Sequence, residues 1–196
     1  MPKSKTHTPE QIAAFLEELK SQTDRGTAVI AAAVFDDLLI QVLTARFIKL
    51  GSDRLESLFD RAGAPLSSFS AKIEMCFALG IINNSSRLAL HLIRDVRNAF
   101  AHQIHQMTFG HPDVAEMIDS RALSELKKPG KSRRDMFLDI FTALSFTLYG
   151  TLSAADIRIK SLEQTHQDHF LDLLASYSEV LKAAVHEVRG SSRRED

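Results

Sequence analysis

The residues whose types and spacing could do chemistry are Arg97, Asn98 and His102. They lie near the end of an apolar segment, where a polar side chain is costly unless it is paired or used. Histidine exchanges protons near neutral pH, and arginine can hold a phosphate group and stabilise the charge that develops on it. With Asn98 orienting the phosphate or the histidine, the three residues would support acid–base chemistry at a phosphate group without a metal or any other cofactor.

A helical projection of this segment separates the arginine from the histidine. At 100° per residue, one polar stripe about 80° wide runs along the helix. Its members are Arg87, His91, Asp95, Asn98 and His102. Arg97 lies instead on the flank of the apolar arc, about 140° from His102. A shared ligand therefore requires a long reach of the arginine, a helix that loosens after Phe100, or a two-fold dimer that brings two motifs together.

A purely structural role explains the same residues without catalysis. On the preceding long helix, Asp36 falls in line with an apolar stripe, where a lone carboxylate would be costly. A buried Asp36–Arg97 ion pair would account for both charged residues. His102 would then be a cation that interacts favourably with the C-terminal end of its helix. We favour this structural interpretation over RNase or nucleotide chemistry.

The four residues between Arg97 and His102 give a spacing that resembles the signature of the HEPN superfamily. That superfamily comprises all-helical domains and includes metal-independent RNases and nucleotide-binding proteins. The resemblance implies a homodimer that cleaves RNA in a dimer cleft, with His102 as acid or base and with Arg97 and Asn98 on the phosphate. It also allows an inactive relative that binds nucleotide or RNA.

Two other stretches resemble the mannitol operon repressor family (MltR/MtlR). The first is Ser21-Gln22-Thr23-Asp24-Arg25-Gly26 with the apolar run after it, and the second runs from Leu58-Phe59-Asp60-Arg61-Ala62-Gly63-Ala64-Pro65 to residue 82. The resemblance covers roughly residues 20–105. It implies an all-helical transcriptional regulator of repressor type that acts through a protein partner or through weak contacts to the nucleic-acid backbone.

A basic segment follows later in the chain, around Pro129-Gly130. It contains Lys127, Lys128, Lys131, Arg133 and Arg134. These residues could contact phosphates without reading a base sequence. The alternative, which we favour, is a solvated loop that precedes a helix. Because Pro129-Gly130 interrupts the place where a recognition helix would run, the segment does not form a helix-turn-helix motif.

Composition narrows the class of protein. The chain has 24 basic and 25 acidic residues and a formal net charge of −1, so it has no general attraction for nucleic acid. Its single cysteine, Cys76, lies in an apolar run and is expected in the core. The histidines match no strong zinc signature, so no metal site is predicted. We expect a cytoplasmic protein without a membrane segment, since no leader and no stretch of about 20 apolar residues is evident.

Helical punctuation predicts the elements that must position these residues. Capping patterns place helix starts at Thr8-Pro9, at Thr23 or Asp24, at Ser68 and at Asn83-Asn84-Ser85. The second of these helices is expected to stay apolar to Leu50, with Gly51 as its stop, and to lie buried at the centre. A short helix over 52–59 follows, and the helix from Ser68 is expected to reach Ile82.

The remaining helices are predicted over residues 113–126, 134–163 and 166–188. No segment alternates polar and apolar residues as a strand would. The expected fold is therefore all-α, one multi-helix bundle of about seven to eight helices over residues 1–189, with a disordered tail over 190–196.

Overall fold

The computed structural model describes residues 9–102, 107–121 and 130–154, with side chains from residue 14 onward. The chain divides into two compact units, residues 1–155 and 156–196, and every described residue belongs to the first. Seven helices and no strand occur in the described part, which confirms the all-α prediction. They are α1 (Pro9–Ser21), α2 (Asp24–Thr44), α3 (Ser52–Phe59), α4 (Phe69–Ala78), α5 (Asn84–His102), α6 (Pro112–Arg121) and α7 (Arg133–Ala154). The predicted helix over 166–188, the domain end at 189 and the tail lie outside the described residues.

The predicted helix starts at Thr23, Ser68 and Asn83 are confirmed, because each is fixed by a local side-chain cap. Thr23 Oγ1 accepts a hydrogen bond from the Gly26 N–H at 3.1 Å, and Ser68 Oγ accepts one from Ala71 at the same distance. Asn83 Oδ1 accepts from the Ser86 N–H at 2.9 Å at the start of α5. Each cap satisfies one of the backbone donors that a helix leaves free at its first turn.

Two predicted helix ends are wrong. α2 ends at Thr44 and not at Leu50, because the chain turns there and packs the ring of Phe47 against Phe59, with their centroids 6.3 Å apart. α4 ends at Ala78 and not at Ile82, because Gly80 adopts a φ of +64° that stops the helix. The sequence therefore predicts helix starts better than helix ends.

The core lies around α2, as predicted, with α1, α4 and α5 packed against it. Phe35 and Leu39 of α2 are fully buried, and the Phe35 ring lies 4.9 Å from that of Phe141 in α7. Cys76 is also fully buried, as expected, and burial raises the pKa of its thiol to about 12.

α2 and α7 are long and apolar enough to cross a membrane, contrary to the expectation that no such stretch exists. About half of the apolar window in each helix is buried inside the protein. Core helices of a globular domain have the same length and composition, so these two helices are weak support for a membrane segment.

Candidate functional site

α5 carries the candidate residues, and its buried side fixes their direction. Leu92, Val96 and Phe100 of α5 are fully buried in the core. The opposite side of the helix carries the predicted polar stripe, whose members are half-buried or, in the case of His102, exposed. The orientation of α5 therefore follows from its apolar residues, and the polar side chains are directed outward toward α4 and α6.

A cleft of about 330 Å³ lies at the C-terminal end of α5. It is lined by Asp95, Asn98, Ala99, His102, Met107, Asp113 and Met117. Asn98 and His102 thus line the same cleft, as the helical projection predicts. Within the described part of the chain, neither side chain has a hydrogen-bond partner, so both can bind a further molecule. Arg97 is half-buried and does not line this cleft.

Asp95 closes one side of the cleft by binding two arginines at once. Its Oδ1 accepts hydrogen bonds from Arg94 at 2.7 and 3.0 Å, and its Oδ2 accepts one from Arg121 of α6. Arg94 also donates to Ser70 of α4 at 2.8 Å. Burial alone would raise the pKa of Asp95, but the hydrogen bonds from Arg121 and Arg94 outweigh it and hold the pKa below the ordinary value of 3.8. Asp95 therefore connects three helices as a carboxylate.

The other end of the polar stripe is occupied by contacts to α4. Glu74 accepts hydrogen bonds from Arg87 at 2.9 and 3.0 Å, and His91 Nε2 lies 2.6 Å from its Oε1. The hydrogen bonds from Arg87 and His91 lower the pKa of Glu74. The Arg87 guanidinium also lies over the ring of Phe77, 5.1 Å from its centroid. These residues hold α4 against α5, although His91 Nδ1 is buried without a hydrogen-bond partner. The stripe side chains that have no partner at all among the described residues, Asn98 and His102, lie at the cleft end.

The predicted Asp36–Arg97 pair does not form in the described structure. Asp36 is bound instead by Lys72 of α4, whose Nζ lies 2.8 and 2.9 Å from the two carboxylate oxygens. The Lys72 side chain is only 3% exposed, whereas that of Asp36 is 36% exposed. Asp36 therefore has a partner from α4 in place of the predicted Arg97. Arg97 has no ion pair among the described residues.

Lys72 could have been found from the sequence. It is the only charged residue in the first half of α4 and lies among Phe69, Ala71 and Ile73. A charge on an apolar helix surface is costly unless it is paired with an opposite charge. The negative charge of Asp36 on α2 and the positive charge of Lys72 on α4 are therefore natural partners. Arg121 gave no comparable signal, because it lies in a polar sequence.

The described part of the basic segment is engaged in ion pairs within the chain. Lys131 pairs with Asp139, and the Arg133 guanidinium lies 2.8 Å from a carboxylate oxygen of Asp119. Lys127 and Lys128 lie outside the described residues. Carboxylates of the same chain thus neutralise the positive charge that would otherwise attract the phosphates of a nucleic acid.

Arg134 in particular has a structural role. Its guanidinium donates to Asp24 Oδ1 at 2.8 Å and to the carbonyl oxygens of Lys20 and Gln22 at 2.9 and 2.6 Å. Asp24 Oδ2 also accepts the backbone N–H of Phe109 at 3.0 Å. Arg134 therefore joins the start of α7 to the junction between α1 and α2.

The histidines do not assemble a metal site within the described residues. No group of three or more His, Cys, Asp or Glu side chains suited to a metal ion occurs there. His111 lies 3.7 Å from Asp113 at the start of α6. His105, His166 and His169 lie outside the described residues.

Comparison with known proteins supports a relationship at the level of fold. No protein-family model and no curated protein matches the chain. A chain of the MtlR–HPr complex from Escherichia coli is similar in structure, with a TM-score of 0.53 and 16% identity over 74% of this chain and 97% of that chain. A possible transcriptional regulator, YggD from Shigella flexneri, has a TM-score of 0.49 and 15% identity over 74% of this chain and 98% of its own. The chain thus has an MtlR-like fold.

Proposed function

We propose that this protein is a transcriptional regulator of repressor type that acts by binding a protein partner. The observation that carries the proposal is the structural likeness to MtlR, which covers 97% of the MtlR chain. That MtlR structure is a complex with a second protein, HPr. The resemblance of residues 21–39 and 58–82 to the mannitol operon repressor family points in the same direction. Because Pro129-Gly130 argues against a helix-turn-helix in this segment of the sequence, we infer that a partner would supply or control the contact to DNA.

We place the partner contact at the cleft between α5 and α6. Its polar groups are Asp95, Asn98, His102 and Asp113, and its floor includes Met107 and Met117. Convergent polar groups above an apolar floor are typical of binding sites. Asn98 and His102 retain hydrogen-bonding capacity there, whereas the rest of the polar stripe is paired within the chain.

The RNase alternative has weaker support from the geometry. It requires Arg97 and His102 on one phosphate, but Arg97 does not line the cleft that contains Asn98 and His102. The interpretation therefore depends on a second copy of the motif from a dimer. Direct contact with the nucleic-acid backbone is also less favoured, because Lys131, Arg133 and Arg134 are paired with carboxylates.

Transcript profiling combined with affinity purification tests the proposed function. A deletion strain would be complemented with tagged wild-type protein, with Asp113→Arg in the cleft, or with Glu18→Arg on the exposed side of α1 as the matched control. We expect the deletion to raise a defined set of transcripts, and wild type and Glu18→Arg to restore repression and retain the same partner. Asp113→Arg should lose both. Unchanged transcripts in the deletion strain, or full function of Asp113→Arg, would overturn the proposal.

A further inference from the structure

A groove of about 190 Å³ lies between the first turns of α5 and the middle of α7. It is lined by Asn83, Ser85, Ser86, Leu88, Ala89, Arg121, Ile140, Ala143, Leu144 and Thr147. The residues from the very start of α5 are polar, whereas most of the remaining lining is apolar. This groove is separate from the cleft between α5 and α6, because the two share no lining residue.

The side chain of Ser86 is buried in the wall of this groove, and only 9% of the residue is exposed. The backbone N–H of Ser86 donates to Asn83 Oδ1 at 2.9 Å. Its hydroxyl, in contrast, has no hydrogen-bond partner within the described part of the chain. A buried hydroxyl without a partner is costly, so a polar group of a ligand in the groove would be stabilised by pairing with it.

The first turn of α5 gives this end of the groove a positive potential. A helix leaves the N–H groups of its first turn without intrahelical acceptors and carries a partial positive charge there. Asn83 caps the N–H of Ser86, and no acidic residue lies in the first turn to neutralise the partial charge. Arg121 adds a cation to the lining, although Asp95 already accepts one of its hydrogen bonds. The polar end of the groove therefore suits an anion.

The rest of the groove suits a short hydrocarbon chain. Leu88 and Ala89 line it from α5, and Ala143 and Leu144 line it from α7. Leu88 is 47% exposed, so a chain in the groove would cover apolar surface that water now contacts. At roughly 30 Å³ per water molecule, the groove has the volume of about six waters. A small molecule fits this volume, and a folded partner does not.

We propose that this groove is a binding site for a small organic acid with a short apolar chain. The carboxylate accepts hydrogen bonds from the Ser86 hydroxyl and from the free backbone N–H groups at the start of α5. The chain lies between Leu88 and Leu144. A few polar groups placed at one end of an apolar pocket are what orients a small ligand in its site. The site is additional to the proposed partner contact, because it uses the opposite end of α5.

Titration of the full chain with hexanoate, followed by calorimetry and ligand-observed NMR, tests this site. We expect saturable binding with a Kd in the millimolar range or tighter, given the few atoms of the probe. Hexan-1-ol, which has the same chain but no carboxylate, should bind about 10-fold more weakly. Ser86→Ala should also weaken hexanoate binding about 10-fold. Ser57→Ala is the matched control, because Ser57 lies on the exposed part of α3, and this variant should bind hexanoate as wild type does.

Thermal denaturation separates loss of binding from loss of folding. Ser86→Ala removes a hydroxyl that has no partner, so without hexanoate it should melt at or above the wild-type temperature. Hexanoate should raise the Tm of wild type but not that of Ala143→Phe, in which a larger side chain fills the groove. Absence of saturable hexanoate binding, equal binding of hexan-1-ol, or unchanged affinity in Ser86→Ala would overturn the proposal. An equal Tm rise in wild type and Ala143→Phe would place hexanoate elsewhere and would also overturn it.

Discussion

At the scale of single residues, the polar stripe of α5 divides into a paired part and an unpaired part. Arg87, His91 and Asp95 are bound by groups on α4 and α6, whereas Asn98 and His102 face an open cleft. Residue type alone does not distinguish the two parts, because all five residues are equally able to bind a ligand. The distinction depends on which partners the neighbouring helices bring into reach.

Asp95 should make stability dependent on acidic pH. A carboxyl group whose pKa is lower in the folded state stabilises the fold above its ordinary pKa of 3.8, and that stabilisation is lost as the pH falls through the lower, folded value. Asp95→Asn should lower the free energy of unfolding at pH 7 by about 1–2 kcal/mol and should flatten the loss of stability below about pH 4. Urea denaturation at pH 7 and at decreasing acidic pH measures both effects.

Asp113→Asn is the control for this measurement, because the side chain of Asp113 is 65% exposed and lies 3.7 Å from His111. Asp113→Asn should leave the free energy of unfolding nearly unchanged at pH 7 and at acidic pH. An identical pH dependence in wild type and Asp95→Asn would show that the bridge between Arg94 and Arg121 does not stabilise the fold.

His102 should not support RNA cleavage in this protein. Catalysis needs a cation on the phosphate next to the general acid or base, and Arg97 does not line the cleft that contains His102. We expect wild type and His102→Ala to be equally inactive on a fluorescent single-stranded RNA in EDTA. Cleavage by wild type that disappears in a folded His102→Ala variant would instead establish the RNase alternative.

At the scale of the elements, ion pairs between helices determine how the site is assembled. Lys72 joins α4 to α2 through Asp36, and Arg134 joins α7 to the junction of α1 and α2. The partners are separated by 36 and 110 residues along the chain. Such pairs depend on which helices pack together, and one sequence does not give that packing.

Removing the Asp36 charge should strongly destabilise the fold, because it leaves the buried Lys72 ammonium without a partner. Asp36→Asn should cost about 2–4 kcal/mol of unfolding free energy. Lys72→Met should cost less, about 1 kcal/mol, since the partly exposed carboxylate can still reach water. The two effects should not be additive in a double-mutant cycle measured by urea denaturation.

Arg97→Met supplies the matched comparison for that cycle. Combined with Asp36→Asn, it should give additive effects, because Arg97 and Asp36 are not paired in the structure. A coupling energy of more than about 0.5 kcal/mol between Asp36 and Arg97 would instead support the ion pair predicted from the sequence.

Arg134 should matter far more to stability than its neighbour Arg133. Arg134→Met removes charged hydrogen bonds to Asp24 and to two carbonyl oxygens at a helix junction, and should cost about 2–4 kcal/mol. Arg133→Met breaks an exposed pair with Asp119 and should leave the stability nearly unchanged, because solvent screens such a pair. Equal effects in thermal denaturation would contradict a structural role for Arg134.

The helix boundaries show what the sequence could and could not predict. The starts at Thr23, Ser68 and Asn83 were predictable, because each cap involves a side chain and a backbone N–H three residues away. The ends at Thr44 and Ala78 were not, since they depend on the packing of Phe47 and on the backbone conformation at Gly80. For the site, the stripe and the separation of Arg97 followed from helical periodicity, but Lys72 and Arg121 came from other helices.

At the scale of the whole molecule, opposite charges nearly cancel, since the chain has 24 basic and 25 acidic residues. Among the described residues, ion pairs between helices use several of these charges, as in Lys72–Asp36, Arg121–Asp95 and Arg134–Asp24. These pairs hold the helices together, whereas Asn98 and His102 of the polar stripe remain without a partner at the cleft between α5 and α6.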